Sequence, residues 1–200
     1  MFDEPVRAWF PRLARPLVVA LARAGMTPNQ VSVVAAILGL AAAGCVATGY
    51  TLTGLVVWVV SRVADGLDGA LARATGAKSA FGGYLDITLD MLAYSAMVVG
   101  FAIANPQHGL AWACILAGYV VAITTTLALS NAAAETGQTV SGTNRTFQFT
   151  RGAAEAGETT VMYVLWGLFP QWMGVLVWVW VGMLAVTGVQ RSYLAWRVLR

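Results

Sequence analysis

The sequence predicts an all-α integral membrane protein, with six transmembrane helices that follow an N-terminal amphipathic helix lying at the membrane interface. Three observations predict this fold class. Hydrophobic residues make up 58% of the 200 residues and charged residues only 10%, with a mean hydropathy of +0.70, which excludes an ordinary soluble domain. The apolar residues fall into separate runs of about 20 residues, the length that a helix needs to cross a bilayer. With six spans, the basic residues all lie on one side of the membrane.

Residues 1–24 are predicted to form an amphipathic juxtamembrane segment. Apolar residues recur there at helical spacing, with arginines among them. The apolar residues are Trp9, Leu13, Leu17 and Leu21, and the arginines are Arg7, Arg12, Arg15 and Arg23. Such a helix lies in the headgroup layer, with its arginines reaching lipid phosphates. The alternative is a merely solvated leader.

Residues 25–200 are predicted to form one domain of six spans. Thr27 is a suitable cap for the first span, and Asn105-Pro106 and Pro170 mark later breaks, since proline cannot continue a helix. The spans are predicted approximately at residues 30–48, 52–74, 81–104, 110–129, 151–169 and 172–193. A polar loop is predicted at 131–150.

Two further patterns predict how the spans pack. The first span carries small residues four apart, which let another helix approach closely. These residues are Ala35, Gly39, Ala43 and Ala47. The later spans carry tryptophans that are predicted to be interfacial or lipid-facing anchors. These are Trp166, Trp172, Trp178 and Trp180.

The basic residues predict the orientation. The turns near residues 50, 106 and 170 contain no lysine or arginine, and all 12 basic residues of the chain fall toward the other side. The positive-inside rule then places both termini and the polar loop in the cytoplasm. The expected location is the cell inner membrane, with membrane lipids as neighbours and no nucleic-acid partner.

Four carboxylates lie together between two apolar runs. Asp65 and Asp68 are three residues apart, and Asp86 and Asp90 are four apart, so each pair shares one helix face. An ionised carboxylate at membrane depth costs roughly 2.5–3.5 kcal/mol on insertion scales. A divalent cation removes that penalty, and oxygen ligands suit hard ions. The stretch therefore predicts a metal site. The alternative is that the acids only pair with basic neighbours, namely Arg62, Arg73 and Lys78.

The spacing within residues 65–90 is more specific than an acidic cluster. It resembles the signature of the CDP-alcohol phosphatidyltransferases at each fixed position. The matching residues are Asp65, Asp68, Gly69, Ala72, Arg73, Gly82, Asp86 and Asp90. The resemblance implies an enzyme of phospholipid biosynthesis. Such an enzyme moves a phosphatidyl or related group from a CDP-linked lipid to an alcohol and releases CMP.

The resemblance also implies which acids do what. Asp65, Asp68 and Asp86 match metal ligands, for two Mg²⁺ or Mn²⁺ ions. Asp90 matches the general base that takes the proton of the acceptor hydroxyl, and it is a further candidate metal ligand.

The resemblance implies the partners as well. The donor is a lipid of the CDP-diacylglycerol type, and the enzyme is a homodimer, as is common in the family. The residues that match CDP-lipid-binding positions are Asn29, Gly69, Arg73 and Ser79.

The acceptor alcohol is not fixed by these residues. Family members use glycerol phosphate, inositol or inositol phosphate, serine, choline or phosphatidylglycerol. Met91 follows the fourth aspartate, where members acting on inositol phosphate often carry a basic residue, and this disfavours that acceptor. The candidates for the acceptor pocket are Arg145, Arg151, Glu155 and Glu158. The alternative for these four is ordinary interface charge.

Two other classes of function predict a different arrangement of the acidic residues. A divalent-cation transporter predicts acids spread along the membrane depth, whereas these acids cluster toward one face. A non-catalytic membrane scaffold predicts the loss of a motif aspartate, and all four are present.

Overall fold

The computed structural model describes residues 3–135 and 154–199, with side chains from Leu13 onward in the first stretch. These residues are helical and contain no strand, which confirms the all-α class. The helices are α1 Asp3–Arg23, α2 Pro28–Ala47, α3 Thr51–Thr75, α4 Ala80–Ala104, α5 Gly109–Glu135, α6 Ala156–Leu168 and α7 Met173–Val198, with 3₁₀ turns at Pro106–His108 and Pro170–Trp172.

Within the described residues, four segments are long and apolar enough to cross a membrane. They are Pro28–Ala47, Ala80–Ala104, Pro106–Glu135 and Pro170–Val198. Helix α3 is not among them because Arg62, Asp65 and Asp68 lower its hydropathy, and α6 has only 13 residues. The protein is a multi-pass helical membrane protein, and the count of six spans stays a prediction.

Local signals set the helix ends. Thr27 caps α2 as predicted: its Oγ1 accepts from the backbone N–H of Gln30 at 3.3 Å, and Gln30 Oε1 accepts from Thr27 N at 2.9 Å. The end of α5 differs from the prediction, because the helix continues to Glu135 where a loop was expected from Asn131. Asn131 Nδ2 donates to Glu135 Oε1 at 2.9 Å, an i,i+4 contact that favours helix.

The chain divides into two compact units, Met1–Pro106 and Gln107–Arg200. In the first unit, α2 packs closely on α3 and α4. A Cβ on Gly39 would lie 2.8 Å from Ala93 Cβ, and a Cβ on Gly100 would lie 2.5 Å from the Ala43 carbonyl oxygen. Real Cβ atoms do not come so close. The small-residue stripe of α2 is thereby confirmed as a packing face.

Helix α1 packs on α3 through a face that matches the predicted stripe only in part: Leu21 packs against the buried cluster, but Leu13 and Leu17 do not. Ala14 and Val18 are buried in a cluster that includes Leu71, whereas Leu13 and Leu17 are 71% and 52% exposed. Helical spacing identified apolar residues correctly, but it could not tell which apolar face meets the protein. The exposed leucines leave a second apolar face, and the interfacial position of α1 stays a prediction.

The second unit contains α5, α6 and α7 around buried aromatic side chains. The hydroxyl groups of Tyr119 and Tyr163 share a hydrogen bond of 2.8 Å, and Trp180 Nε1 donates to the Tyr119 oxygen at 3.2 Å. Trp112 and Trp166 meet edge to face with their ring centroids 5.1 Å apart. These contacts join all three helices by ring packing and hydrogen bonds.

The tryptophan prediction is wrong for two of the four residues. Trp166 and Trp180 are fully buried, and they belong to the aromatic core of the second unit rather than to an anchoring belt. Trp172 and Trp178 are exposed, as anchors would be. An indole group suits either place because it is both apolar and a hydrogen-bond donor.

Candidate active site

Three aspartates converge in the first unit. Asp65 and Asp68 lie one turn apart on α3, and Asp86 lies in the second turn of α4. Each offers one carboxylate oxygen, and these oxygens all lie within 4.8 Å of one another. Oxygens at this spacing can share one divalent cation, since such bonds are about 2.0–2.6 Å long. The donor set is purely carboxylate and suits Mg²⁺ or Mn²⁺.

Asp68 is buried and is oriented by a neighbouring helix. The Ser32 hydroxyl of α2 donates to Asp68 Oδ2, and it also lies 3.2 Å from the Pro28 carbonyl oxygen. A buried carboxylate needs such a donor, because an unsatisfied charge in an apolar surrounding is costly. The predicted site residues did not include Ser32, since a serine inside an apolar span carries no distinguishing pattern.

Asp90 has a different environment from the other three acids. It follows Asp86 by one turn of α4 and lies outside the group of three converging carboxylates found among the described residues. Arg62 Nη1 lies 2.5 Å from Asp90 Oδ1 and 3.8 Å from Asp65 Oδ2. The alternative of simple ion pairing therefore applies to Asp90 and, at a longer distance, to Asp65, whereas Asp65, Asp68 and Asp86 also converge on one another.

The four candidate CDP-lipid residues form two adjacent pairs. A Cβ on Gly82 would lie 3.1 Å from Ser79 Oγ and 3.2 Å from Asn29 Oδ1, so both side chains lie beside Gly82 at the start of α4. A Cβ on Gly69 would lie 3.2 Å from Arg73 Nη1. Ser79 Oγ also accepts from Gly82 N at 2.9 Å and caps α4. Capping of α4 is therefore a structural explanation for a serine at this position, beside the predicted role in CDP-lipid binding.

The acceptor candidates are placed only in part. Arg145 and Arg151 lie outside the described residues. Glu155 and Glu158 lie at the start of α6 in the second unit, and Glu155 is its N-terminal cap residue. This helix was predicted to begin at residue 151, but in the structure it begins at Ala156. Glu155 has an extended backbone, with φ −112° and ψ −179°.

Sequence reasoning did not single out Arg191 of α7. This arginine is buried and interacts electrostatically with Glu155. Its Nη1 donates to the Ala122 carbonyl oxygen at 2.6 Å. Basic residues are common near the ends of membrane spans. Only its three-dimensional contacts therefore distinguish Arg191 from an ordinary interfacial arginine.

Comparison with known proteins finds a family whose model matches most of the chain. Residues 25–189 match the family model described as CDP-alcohol phosphatidyltransferase. The chain is 34% identical to the inner membrane protein YnjF of Escherichia coli, over 96% of this chain and all of that protein. It is 36% identical to an archaetidylinositol phosphate synthase of Pyrococcus horikoshii, over 48% of this chain and 52% of that protein.

A solved structure shares the fold. The crystal structure of Mycobacterium tuberculosis phosphatidylinositol phosphate synthase (PgsA1) with CDP-DAG bound matches with a TM-score of 0.69. The match covers 92% of this chain and 94% of that one, at 24% identity. Likeness at this identity shows the fold alone.

Proposed function

The chain belongs to the CDP-alcohol phosphatidyltransferase family, and from this membership we propose how its acidic site transfers a phosphatidyl group. The acceptor oxygen attacks the β-phosphorus of a CDP-linked lipid. A new P–O bond forms to the acceptor, the P–O bond to CMP breaks, and CMP leaves with that electron pair. The observation that carries this proposal is the convergence of Asp65, Asp68 and Asp86, with Asp90 one turn farther along α4.

We propose that Asp65, Asp68 and Asp86 hold two divalent ions, Mg²⁺ or Mn²⁺, with Asp90 as a weaker fourth candidate ligand. Bound ions of this kind neutralise phosphate charge and stabilise a leaving phosphate oxygen. The acids themselves keep their places through the protein: Ser32 orients Asp68 from α2. Asp65 and Asp68 share one face of α3 because they are three residues apart.

Asp90 is proposed as the base that takes the proton from the acceptor hydroxyl. Two features favour this role over a purely ligating one. Asp90 lies outside the converging group of described carboxylates, and its Oδ1 is already held by Arg62. General-base assistance of this kind is typically worth about 10²–10⁴-fold in rate.

The CDP-lipid is proposed to contact Asn29, Gly69, Arg73 and Ser79. Gly69 has no side chain and so allows close approach of a bulky phosphate group. The exposed guanidinium of Arg73 offers two parallel donors, which match the oxygens of a phosphate. The amide of Asn29 lies beside Gly82 in the first turn of α4, where backbone N–H groups favour an anion.

The acceptor candidates Arg145, Arg151, Glu155 and Glu158 stay predictions from the sequence. Relatives that match about half of this chain include an archaetidylinositol phosphate synthase and a phosphatidylinositol phosphate synthase, whereas Met91 argues against inositol phosphate as the acceptor. The proposal for membrane orientation places both termini and the acidic motif in the cytoplasm, in the cell inner membrane. The proposed assembly is a homodimer.

The test is an assay of CMP release. Purified protein in detergent is mixed with CDP-diacylglycerol, Mg²⁺ and one alcohol at a time, covering glycerol phosphate, inositol, inositol phosphate, serine, choline and phosphatidylglycerol. We expect CMP and a new phosphodiester lipid with one class of alcohol, and neither product without the metal. Transport of Mg²⁺ into vesicles, together with no release of CMP from CDP-diacylglycerol in the presence of any alcohol, would contradict the proposal.

A further inference from the structure

Arg62 has a surrounding that is unusual for a charged side chain. Its guanidinium carbon lies 4.5 Å from the ring centre of Trp58 and 4.9 Å from that of Tyr94. Trp58 precedes it by one turn of α3, and Tyr94 follows Asp90 by one turn of α4. Both rings are buried, and the Arg62 side chain is only 12% exposed. The two rings also meet each other edge to face, with centroids 5.2 Å apart, and a desolvated cation beside such a pair is held strongly.

The polar contacts of Arg62 reach both α3 and α4. Nη1 donates to Asp90 Oδ1 at 2.5 Å, and Nη2 donates to Ser61 Oγ at 3.0 Å. Ser61 in turn donates to the Ala35 carbonyl oxygen of α2 at 2.8 Å. The guanidinium plane is therefore fixed by two rings and by a hydroxyl that is itself fixed. Asp90 receives the remaining strong contact.

We propose that Arg62 is a positioning residue for Asp90, and this inference rests on the proposed function in which Asp90 is the base. By binding Oδ1, Arg62 sets the rotation of the carboxylate and directs Oδ2 to the acceptor hydroxyl. Its positive charge also offsets the fourth carboxylate of a crowded acidic site. In this role Arg62 acts on the reaction through Asp90.

A purely structural role makes a different prediction. If Arg62 only joined α3 to α4, its loss would lower stability and would affect every step in similar proportion. If it acted through its weaker neighbour Asp65, at 3.8 Å, its loss would weaken metal binding. Positioning of Asp90 predicts a loss of kcat with unchanged KM for the CDP-lipid and unchanged metal affinity.

The experiment compares Arg62→Gln with wild-type protein and with Arg23→Gln, which removes an exposed arginine at the end of α1. Turnover is measured by CMP release, and metal affinity by titration with Mn²⁺. Misplacing a reacting group by about 1 Å can cost roughly 10²-fold, so kcat should fall by about that factor in Arg62→Gln. Arg23→Gln should resemble wild type. Arg62→Lys keeps the charge without the planar fork and should recover part of the rate.

A double-mutant cycle with Asp90→Asn decides how Arg62 acts. In the Asp90→Asn background, Arg62→Gln should cause no further loss of turnover. Losses that multiply, or a weaker Mn²⁺ affinity in Arg62→Gln, would overturn the inference. If Arg62→Gln does not fold, the same cycle with Arg62→Lys gives the decision. A wild-type protein that releases no CMP with any alcohol contradicts the proposed function itself, which separates the two failures.

Discussion

Replacing Ser32 with alanine removes the donor that orients a buried ligand candidate. The Ser32 hydroxyl donates to Asp68 Oδ2, and Asp68 is only 6% exposed. Water therefore cannot easily replace the lost donor. A hydrogen bond to a charged group contributes about 1.5–3 kcal/mol. At about 1.4 kcal/mol per factor of ten, this corresponds to roughly a 10–150-fold change in affinity.

The loss should appear as weaker metal binding, because groups that orient a metal ligand typically contribute about 10–100-fold to metal affinity or activity. Titration of purified Ser32→Ala with Mn²⁺ should show that decrease, and CMP release should require correspondingly more metal. Thr88→Ala is the matched control. It removes a hydroxyl between Asp86 and Asp90 that donates only to the Tyr84 carbonyl oxygen of its own helix, at 2.8 Å. Equal Mn²⁺ affinity in Ser32→Ala and Thr88→Ala would refute the reasoning.

Three further predictions follow from the same structure. Arg73→Lys should raise the KM for CDP-lipid by about tenfold or more, since an ammonium group cannot reproduce a bidentate fork; an unchanged KM would leave Arg73 without a substrate role. Gly100→Ala should lower the unfolding free energy by roughly 1–2 kcal/mol, because overpacking against Ala43 costs about 1–3 kcal/mol and the gain in helix propensity is at most about 1. Gly182→Ala, where no atom outside its own helix in the described part of the chain lies within 4 Å of the added Cβ, should be neutral or stabilising in the same denaturation experiment. A tag at Gln107 should be labelled from outside intact cells and tags at the termini should not, while labelling of a terminus would contradict the orientation.

The sequence was sufficient for the features that depend on local spacing. The helix cap at Thr27 and the breaks at Asn105 and Pro170 follow from the chemistry of a few adjacent residues. The grouping of Asp65 and Asp68 also follows from helical geometry, because residues three apart share one face. Their convergence with Asp86 required only that the two helices on either side of a short connection lie side by side.

Contacts between distant residues were not predictable in the same way. Ser32 and Asp68 are 36 positions apart, and Arg62 and Asp90 are 28 apart. Periodicity shows which face of a helix is apolar, but it does not identify the residue opposite. Arg62 was noted as a possible partner of the acids, yet nothing local indicated which acid it holds. The aromatic pair around it also requires two helices in register.

The remaining errors concern residues that suit two different environments. Trp166 and Trp180 combine a large apolar ring with one donor, so composition alone fits a lipid interface and a buried core equally well. Helix α1 has apolar residues on more than one face. The face that packs on α3, through Ala14 and Val18, is chosen by the shape of the partner surface rather than by hydrophobicity.

The most direct test of phosphatidyl transfer at this site compares Asp65→Asn and Asp90→Asn in one pair of measurements. CMP release gives turnover, and isothermal titration with CDP-lipid at fixed Mg²⁺ gives binding. Transfer with Asp90 as the base predicts that Asp90→Asn loses about 10²–10⁴-fold in turnover and retains CDP-lipid binding, while Asp65→Asn loses both. If Asp90→Asn loses binding as severely as Asp65→Asn, Asp90 is a metal ligand and the assigned base is wrong.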